Sequence, residues 1–141
     1  MFQGTSQLTL DAKGRLSMPT RYRDALQALC EARLTMTRHP DGCLLVYPRP
    51  KWEAKREEIA RLPYAARALQ RLLLGSAVDL EPDAAGRLLI PYELRAAAAL
   101  ERDAVLLGMG EHFELWDAGR HAATEQAQLA GGLDAAAGFT F

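Results

Sequence analysis

The strongest constraint on this chain is that part of it occurs twice. Asp11-Ala12-Lys13-Gly14-Arg15-Leu16-Ser17-Met18-Pro19-Thr20-Arg21-Tyr22-Arg23 aligns without a gap, at an offset of 72, with Asp83-Ala84-Ala85-Gly86-Arg87-Leu88-Leu89-Ile90-Pro91-Tyr92-Glu93-Leu94-Arg95. Asp, Ala, Gly, Arg, Leu, Pro and a final Arg coincide. Further on, Leu44-Leu45-Val46-Tyr47 aligns with Phe113-Glu114-Leu115-Trp116 once three residues are removed from the first copy. Two copies are too few for a solenoid, so the expected arrangement is a duplicated unit that pairs with itself about a pseudo-twofold axis.

Each copy begins with turn chemistry. Asp at the first position and Gly at the fourth suit a type I turn followed by a left-handed residue, which closes a short hairpin with a bulge. Asp11 and Asp83 can accept hydrogen bonds from the turn amides, and Gly14 and Gly86 can take positive φ without a Cβ clash. The flanks alternate with period two. Leu8, Leu10, Leu16 and Met18 in the first copy, and Val78, Leu80, Leu88 and Ile90 in the second, therefore share one buried face. By the same alternation Arg15 and Arg87 point away from it, placing a cation at each hairpin tip.

Pro19 and Pro91 suit the first turn of a helix, where no amide proton is needed. Helices are predicted near 19–29 and 91–100, then strands at 34–37, 44–47, 105–107 and 113–116, with a turn at His39-Pro40-Asp41-Gly42. Between the copies, Lys51–Leu62 and Pro63–Leu74 read as two helices divided at Pro63. Trp52, Ile59 and Leu62 lie on one side of the first, and Leu69, Leu72 and Leu73 lie together on the second. A helix is expected from about 118 to Leu129, and the Ala/Gly-rich tail to Phe141 carries no clear signal. The units are thus a first repeat at 1–50, connecting helices at 51–76, a second repeat at 77–117, and a C-terminal helix and tail at 118–141.

The net charge of −1 conceals a division: residues 1–50 sum to +3, 51–76 to +3 and 77–141 to −7. Such asymmetry fits a basic face that meets a polyanion, and charges that merely solvate a surface would give the same sums. No run approaches the ~18 apolar residues of a membrane span, and the N-terminus lacks the pattern of a secretory signal. Cys30 and Cys43 are too few for a disulfide framework and sit in no metal-ligand motif, so they read as buried thiols in the cytoplasm. His39, His112 and His121 have no metal spacing, and no glycine-rich phosphate loop occurs. A Cys30 or Cys43 thiolate with His39 as base has nothing nearby to activate it. No enzyme, metal, cofactor or small-molecule substrate is expected.

Met1-Phe2-x-Gly4, Leu10-Asp11-Ala12-Lys13-Gly14-Arg15, Pro19-Thr20-Arg21-Tyr22-Arg23, Gln70-Arg71-Leu72-Leu73-Leu74-Gly75, the second Asp83-x-x-Gly86-Arg87 and Phe113-Glu114-Leu115-Trp116-Asp117 together resemble the MraZ family, within the swapped-hairpin superfamily that includes AbrB and SpoVT. The blocks span residues 1–117 in order. The resemblance implies an α+β fold in which two tandem swapped-hairpin units form a pseudo-symmetric small barrel with short peripheral helices. It implies subunits that assemble into a ring, and a nucleoid-associated regulator that binds repeated promoter boxes upstream of the division and cell-wall gene cluster, usually repressing it. The family's DNA-contacting arginine maps onto Arg15 and, in the second copy, Arg87. The chain departs from the family after Asp117, where Arg120-His121 stands in place of a frequent aromatic.

The residues make chemical sense of that role. A guanidinium can donate two parallel hydrogen bonds to guanine O6 and N7, and a two-stranded ribbon is narrow enough for the major groove. Lys13 suits phosphate, while Asp11 and Asp83 would shape turns, since a carboxylate repels phosphate. Ala85 replaces Lys13 in the second copy, so the first turn should carry more affinity. Arg15 could instead only pair with Asp11 across its own turn. Arg61, Arg67 and Arg71 on the connecting helices could face phosphate, a neighbouring subunit or solvent. Trp52, Trp116, Tyr47 and Phe113 read as packing rather than base-stacking residues. The rival class is an oligomeric scaffold or antitoxin-like protein-binding module of the same fold.

Overall fold

The computed structural model describes residues 1–141. Strands are β1 (Phe2–Thr9), β2 (Arg15–Ser17), β3 (Leu34–Arg38), β4 (Leu44–Pro48), β5 (Val78–Leu80), β6 (Arg87–Leu89), β7 (Asp103–Gly110) and β8 (Phe113–Asp117). Helices are α1 (Thr20–Cys30), α2 (Arg49–Ala60), α3 (Arg67–Gly75), α4 (Tyr92–Ala97) and α5 (Ala118–Ala130), with a 3₁₀ turn at Tyr64–Ala66 between α2 and α3.

Strand pairing follows the duplication. Six strands lie in the antiparallel order β1-β7-β8-β4-β3-β5, and β2 pairs with β6 as a separate ribbon. Under the repeat, β1, β3 and β4 correspond to β5, β7 and β8, so the order reads the same from either end. The ribbon is centred on Leu16 opposite Leu88, and the large sheet on Leu45 opposite Glu114. Both pairs join equivalent positions of the two copies. A pseudo-twofold axis therefore runs through them.

The conventional hairpin expected in each copy does not form. The turns are present, with Asp11 N donating to Arg15 O at 2.9 Å and Asp83 N to Arg87 O at 2.8 Å. Beyond them the strands part: β1 pairs with β7 and β5 with β3, while β2 and β6 pair with each other. Each copy lends its first strands to the other. The small barrel is not closed either, because β1 and β5 end the six-stranded sheet without pairing.

This exchange produces one core from both copies. Leu10, Leu16, Met18, Leu26, Leu34 and Met36 pack in the same cluster as Leu88, Ile90, Leu94, Leu106, Phe113 and Leu115. Leu16 and Leu88 are 3% and 1% exposed, so the inner face of the ribbon is sealed against the protein. Leu8 and Leu80 are half-buried, and Val78, expected inside, is exposed at the sheet edge. Phe2 stacks on Phe113 with ring centroids 4.4 Å apart, and Tyr22 meets both edge-on, anchoring the N-terminus.

The helices close the periphery. α1 starts directly after Pro19 and α4 after Pro91, as the proline positions imply. α4 ends early, since Ala99 takes φ 54° and Leu100 N turns back to Arg95 O at 2.9 Å. β7 is longer than expected because β1 templates its whole length. α2 buries Trp52 and Ile59, while Leu62 lies beyond its end and is exposed. Gln70 Nε2 donates to Ile59 O at 2.8 Å and Leu62 O at 3.2 Å, tying α3 to the end of α2. α5 forms despite the missing aromatic. Asp117 caps it by accepting from Arg120 N at 2.9 Å, and the Arg120 side chain donates to Gly42 O at 2.9 Å. The tail after α5 is exposed.

Candidate nucleic-acid interface

The two turns are built alike. Asp11 Oδ1 accepts from Lys13 N at 3.0 Å and Arg15 N at 2.9 Å. Asp83 Oδ1 accepts from Ala85 N and Arg87 N, both at 2.9 Å. Gly14 and Gly86 close the turns at φ 82° and 79°, donating to Asp11 O and Asp83 O. The amides of Arg15 and Arg87, first among these donors, hold the two carboxyls below the usual carboxylate range.

The second carboxylate oxygen orients the arginine. Arg15 Nε donates to Asp11 Oδ2 at 2.7 Å, and Arg87 Nε to Asp83 Oδ2 at 3.0 Å. Pairs this exposed add little stability, but they fix where each guanidinium points. The ion pair and an external contact are compatible, because the Asp takes only Nε. The terminal Nη atoms make no hydrogen bond within the protein.

Strand exchange then determines where these arginines meet. They do not sit on two separate tips. In the antiparallel ribbon Arg15 lies opposite Leu89 and Ser17 opposite Arg87. With Leu16 and Leu88 turned inward, alternation puts Arg15, Leu89, Ser17 and Arg87 on one outer face. Arg15 and Arg87 are diagonal neighbours there, with backbones roughly 7–8 Å apart. Lys13 is exposed on the turn at the Arg15 end, and Ala85 holds its place at the other.

Two further cations join the turns. Arg95, from the second copy, bonds Ile90 O through Nε at 3.0 Å, and its guanidinium covers Gly14 so closely that a Cβ there would overlap it. Arg23, from the first copy, bonds Met18 O through Nε at 2.8 Å, and its guanidinium lies 3.5 Å from where a Gly86 Cβ would be. Each turn is thus overlain by an arginine of the other copy. The signal was the last coincident residue of the repeat, but nothing in the order of residues showed that it crosses to the opposite turn.

The remaining candidates lie apart from this surface. Arg61 pairs with Glu57 at 3.6 Å and Arg67 covers the Tyr64 ring at 5.3 Å, both on the connecting segment. Trp52, Trp116, Tyr47 and Phe113 are buried. Both cysteines are buried, and burial, helped by Glu114 and Asp41, pushes the Cys43 thiol up to about 12, away from any thiolate role. No group of three or more His, Cys, Asp or Glu side chains is placed to hold a metal ion. No helix is long and apolar enough to cross a membrane.

The fold and surface define a duplicated α+β protein whose halves exchange strands and present one shared arginine-bearing ribbon. Comparison narrows that class. The family model described as "MraZ protein, putative antitoxin-like" matches twice, at residues 1–74 and 73–137. The chain is 65% identical over 133 residues to the transcriptional regulator MraZ of Bordetella pertussis, covering 94% of each protein. It is 61% identical over 142 residues to that of Ralstonia pickettii and 58% identical over 142 residues to that of Burkholderia mallei, covering each in full. The chain belongs to the MraZ family, a family of transcriptional regulators and not an enzyme class.

Proposed function

We propose that this chain is a sequence-specific DNA-binding regulator whose β2–β6 ribbon enters the major groove. One observation carries the reading: Arg15 and Arg87 share the outer face of a single ribbon, each pinned at Nε with its Nη atoms unbonded. Pre-oriented guanidiniums suit bidentate contact with guanine. Lys13 would contact phosphate, and Asp11, Asp83, Gly14 and Gly86 would shape the turns. Residues 1–50 and 77–117 would be the two reading units, 51–76 the connecting helices and 118–141 a peripheral helix and tail.

A ribbon this short reads few base pairs, so affinity would come from several copies engaging repeated promoter boxes together. The unpaired edges of β1 and β5 offer backbone groups for assembly into a ring. The family relationship supports a cytoplasmic, nucleoid-associated repressor acting upstream of the division and cell-wall gene cluster. Footprinting of the purified protein on the region upstream of its own gene tests this. Regularly spaced protected boxes are expected, and uniform cleavage across the region would reject it.

The antitoxin-like description of the matching family keeps a second reading in view, a protein-binding module of the same fold. Phosphate binding weakens steeply with salt, so a salt-independent affinity for the same DNA would favour the module.

A further inference from the structure

The outer face of the ribbon breaks the symmetry of the fold. Ser17 and Leu89 are counterparts in the repeat, yet one carries a hydroxyl and the other an isobutyl group. Leu89 is 55% exposed, on a face whose other members are Arg15, Ser17 and Arg87. Isolated exposed leucines are common on protein surfaces; this one stands directly across from Arg15, with Cβ atoms about 5 Å apart. The chain beyond it stays at that end, since Ile90 N donates to Gly14 O at 3.0 Å. There Tyr92 is 71% exposed beneath the Arg95 guanidinium, 5.8 Å from its ring centre, where the first copy has Thr20. The Arg15 end therefore combines cations with exposed apolar side chains. The Arg87 end has Ser17, Thr20 and Ala85 in the corresponding places.

We propose that Leu89 is a specificity-determining residue that packs on the C5-methyl group of a thymine next to the base contacted by Arg15. The inference rests on the ribbon being the base-reading element. In the major groove only thymine presents a methyl group, and an apolar side chain is the partner that distinguishes it. Ser17 can donate to or accept from any base edge and discriminates little. The two halves of the ribbon consequently demand different sequences. The bound box is asymmetric, with a thymine requirement at the Arg15 end alone.

The probe is a duplex selected by the full-length protein from a random library, with each thymine replaced in turn by deoxyuridine, which removes only the methyl group. For the unaltered protein, one replacement should weaken binding about fourfold, the effect of losing one buried methyl. For Leu89→Ala the same replacement should have no effect. A protein indifferent to every deoxyuridine overturns the role of Leu89, and so does a methyl preference that persists in Leu89→Ala. In either case Arg15→Ala on the same duplex still reports whether the ribbon binds DNA. Failure to select any duplex overturns the DNA-reading assignment and this inference with it.

Discussion

The guanidinium of Arg15 is held by Asp11 through Nε alone, at 2.7 Å, so that the ion pair aims it while leaving its Nη edge available. Replacing Arg15 with Ala should therefore remove base discrimination of about 1–3 kcal/mol, roughly a fivefold to 150-fold loss in specific affinity. The side chain lies outside the core, so circular dichroism and assembly size should not change. Arg87→Ala should weaken binding less, because its turn lacks a lysine. Gel-shift titration checks both, and unimpaired binding by Arg15→Ala would reject the base-reading role.

Asp11 and Asp83 link the same turns to pH. Their folded-state carboxyls lie below the ordinary value of 3.8, chiefly because each accepts the amide of its arginine. A lowered folded value means that the stabilising contribution is present above the unfolded value and fades as pH falls through the folded one. Thermal melts from about pH 6 to about pH 2 should show a steeper acid-side loss for the unaltered protein than for an Asp11→Asn, Asp83→Asn variant. Parallel curves would show that the turns contribute nothing to acid sensitivity.

The turns, the inward alternation apart from Val78, and the starts of α1 and α4 were legible in the sequence, because each depends on chemistry within a few residues. Asp11 with Gly14 specifies a turn locally, and Pro19 and Pro91 precede helices locally. Which strand pairs with which was not legible from those residues. The alternation of Leu8, Leu10, Leu16 and Met18 is satisfied equally by a hairpin within one copy and by exchange between two. For the candidate site, the repeat drew attention to Arg15 and Arg87 but placed them on separate tips. Their common face is a consequence of β2–β6 pairing, a long-range contact. The crossing of Arg23 and Arg95 was hidden for the same reason. α5 forms where the helix from about 118 to Leu129 was expected, because Asp117 caps its first turn locally and the missing aromatic is not needed to start it.

The crossed arginines give the two glycines unequal sensitivities. Both need positive φ, so alanine at either should destabilise by about 1–2 kcal/mol through backbone strain. At Gly86 there is room for the methyl group, since its nearest neighbour is Arg23 at ordinary contact distance. At Gly14 the new Cβ would overlap the Arg95 guanidinium, which must swing away. Gly14→Ala should thus lose more stability than Gly86→Ala. Trimming the obstacle should bring the two together, so that Gly14→Ala measured in an Arg95→Ala background matches Gly86→Ala. Equal melting temperatures for the two single variants would mean that Arg95 does not constrain the turn.

Lys13 separates phosphate attraction from base reading. It is exposed on the turn, and its amide, not its ammonium, is used by Asp11. A compact charge there can neutralise phosphate without sensing sequence. Lys13→Ala should weaken binding to specific and unrelated duplexes by similar factors. It should also reduce the slope of log affinity against log salt by about one per bound repeat unit, as expected for one lost phosphate contact. Arg15→Ala should instead narrow the gap between specific and unrelated duplexes. Ala85→Lys provides the converse test, because it restores to the second turn the cation that the first possesses. If Lys13 acts only through charge at the groove edge, Ala85→Lys should tighten binding to both kinds of duplex and steepen the salt slope. A Lys13→Ala change that alters sequence preference while leaving the salt slope untouched would move Lys13 from the phosphates to the bases.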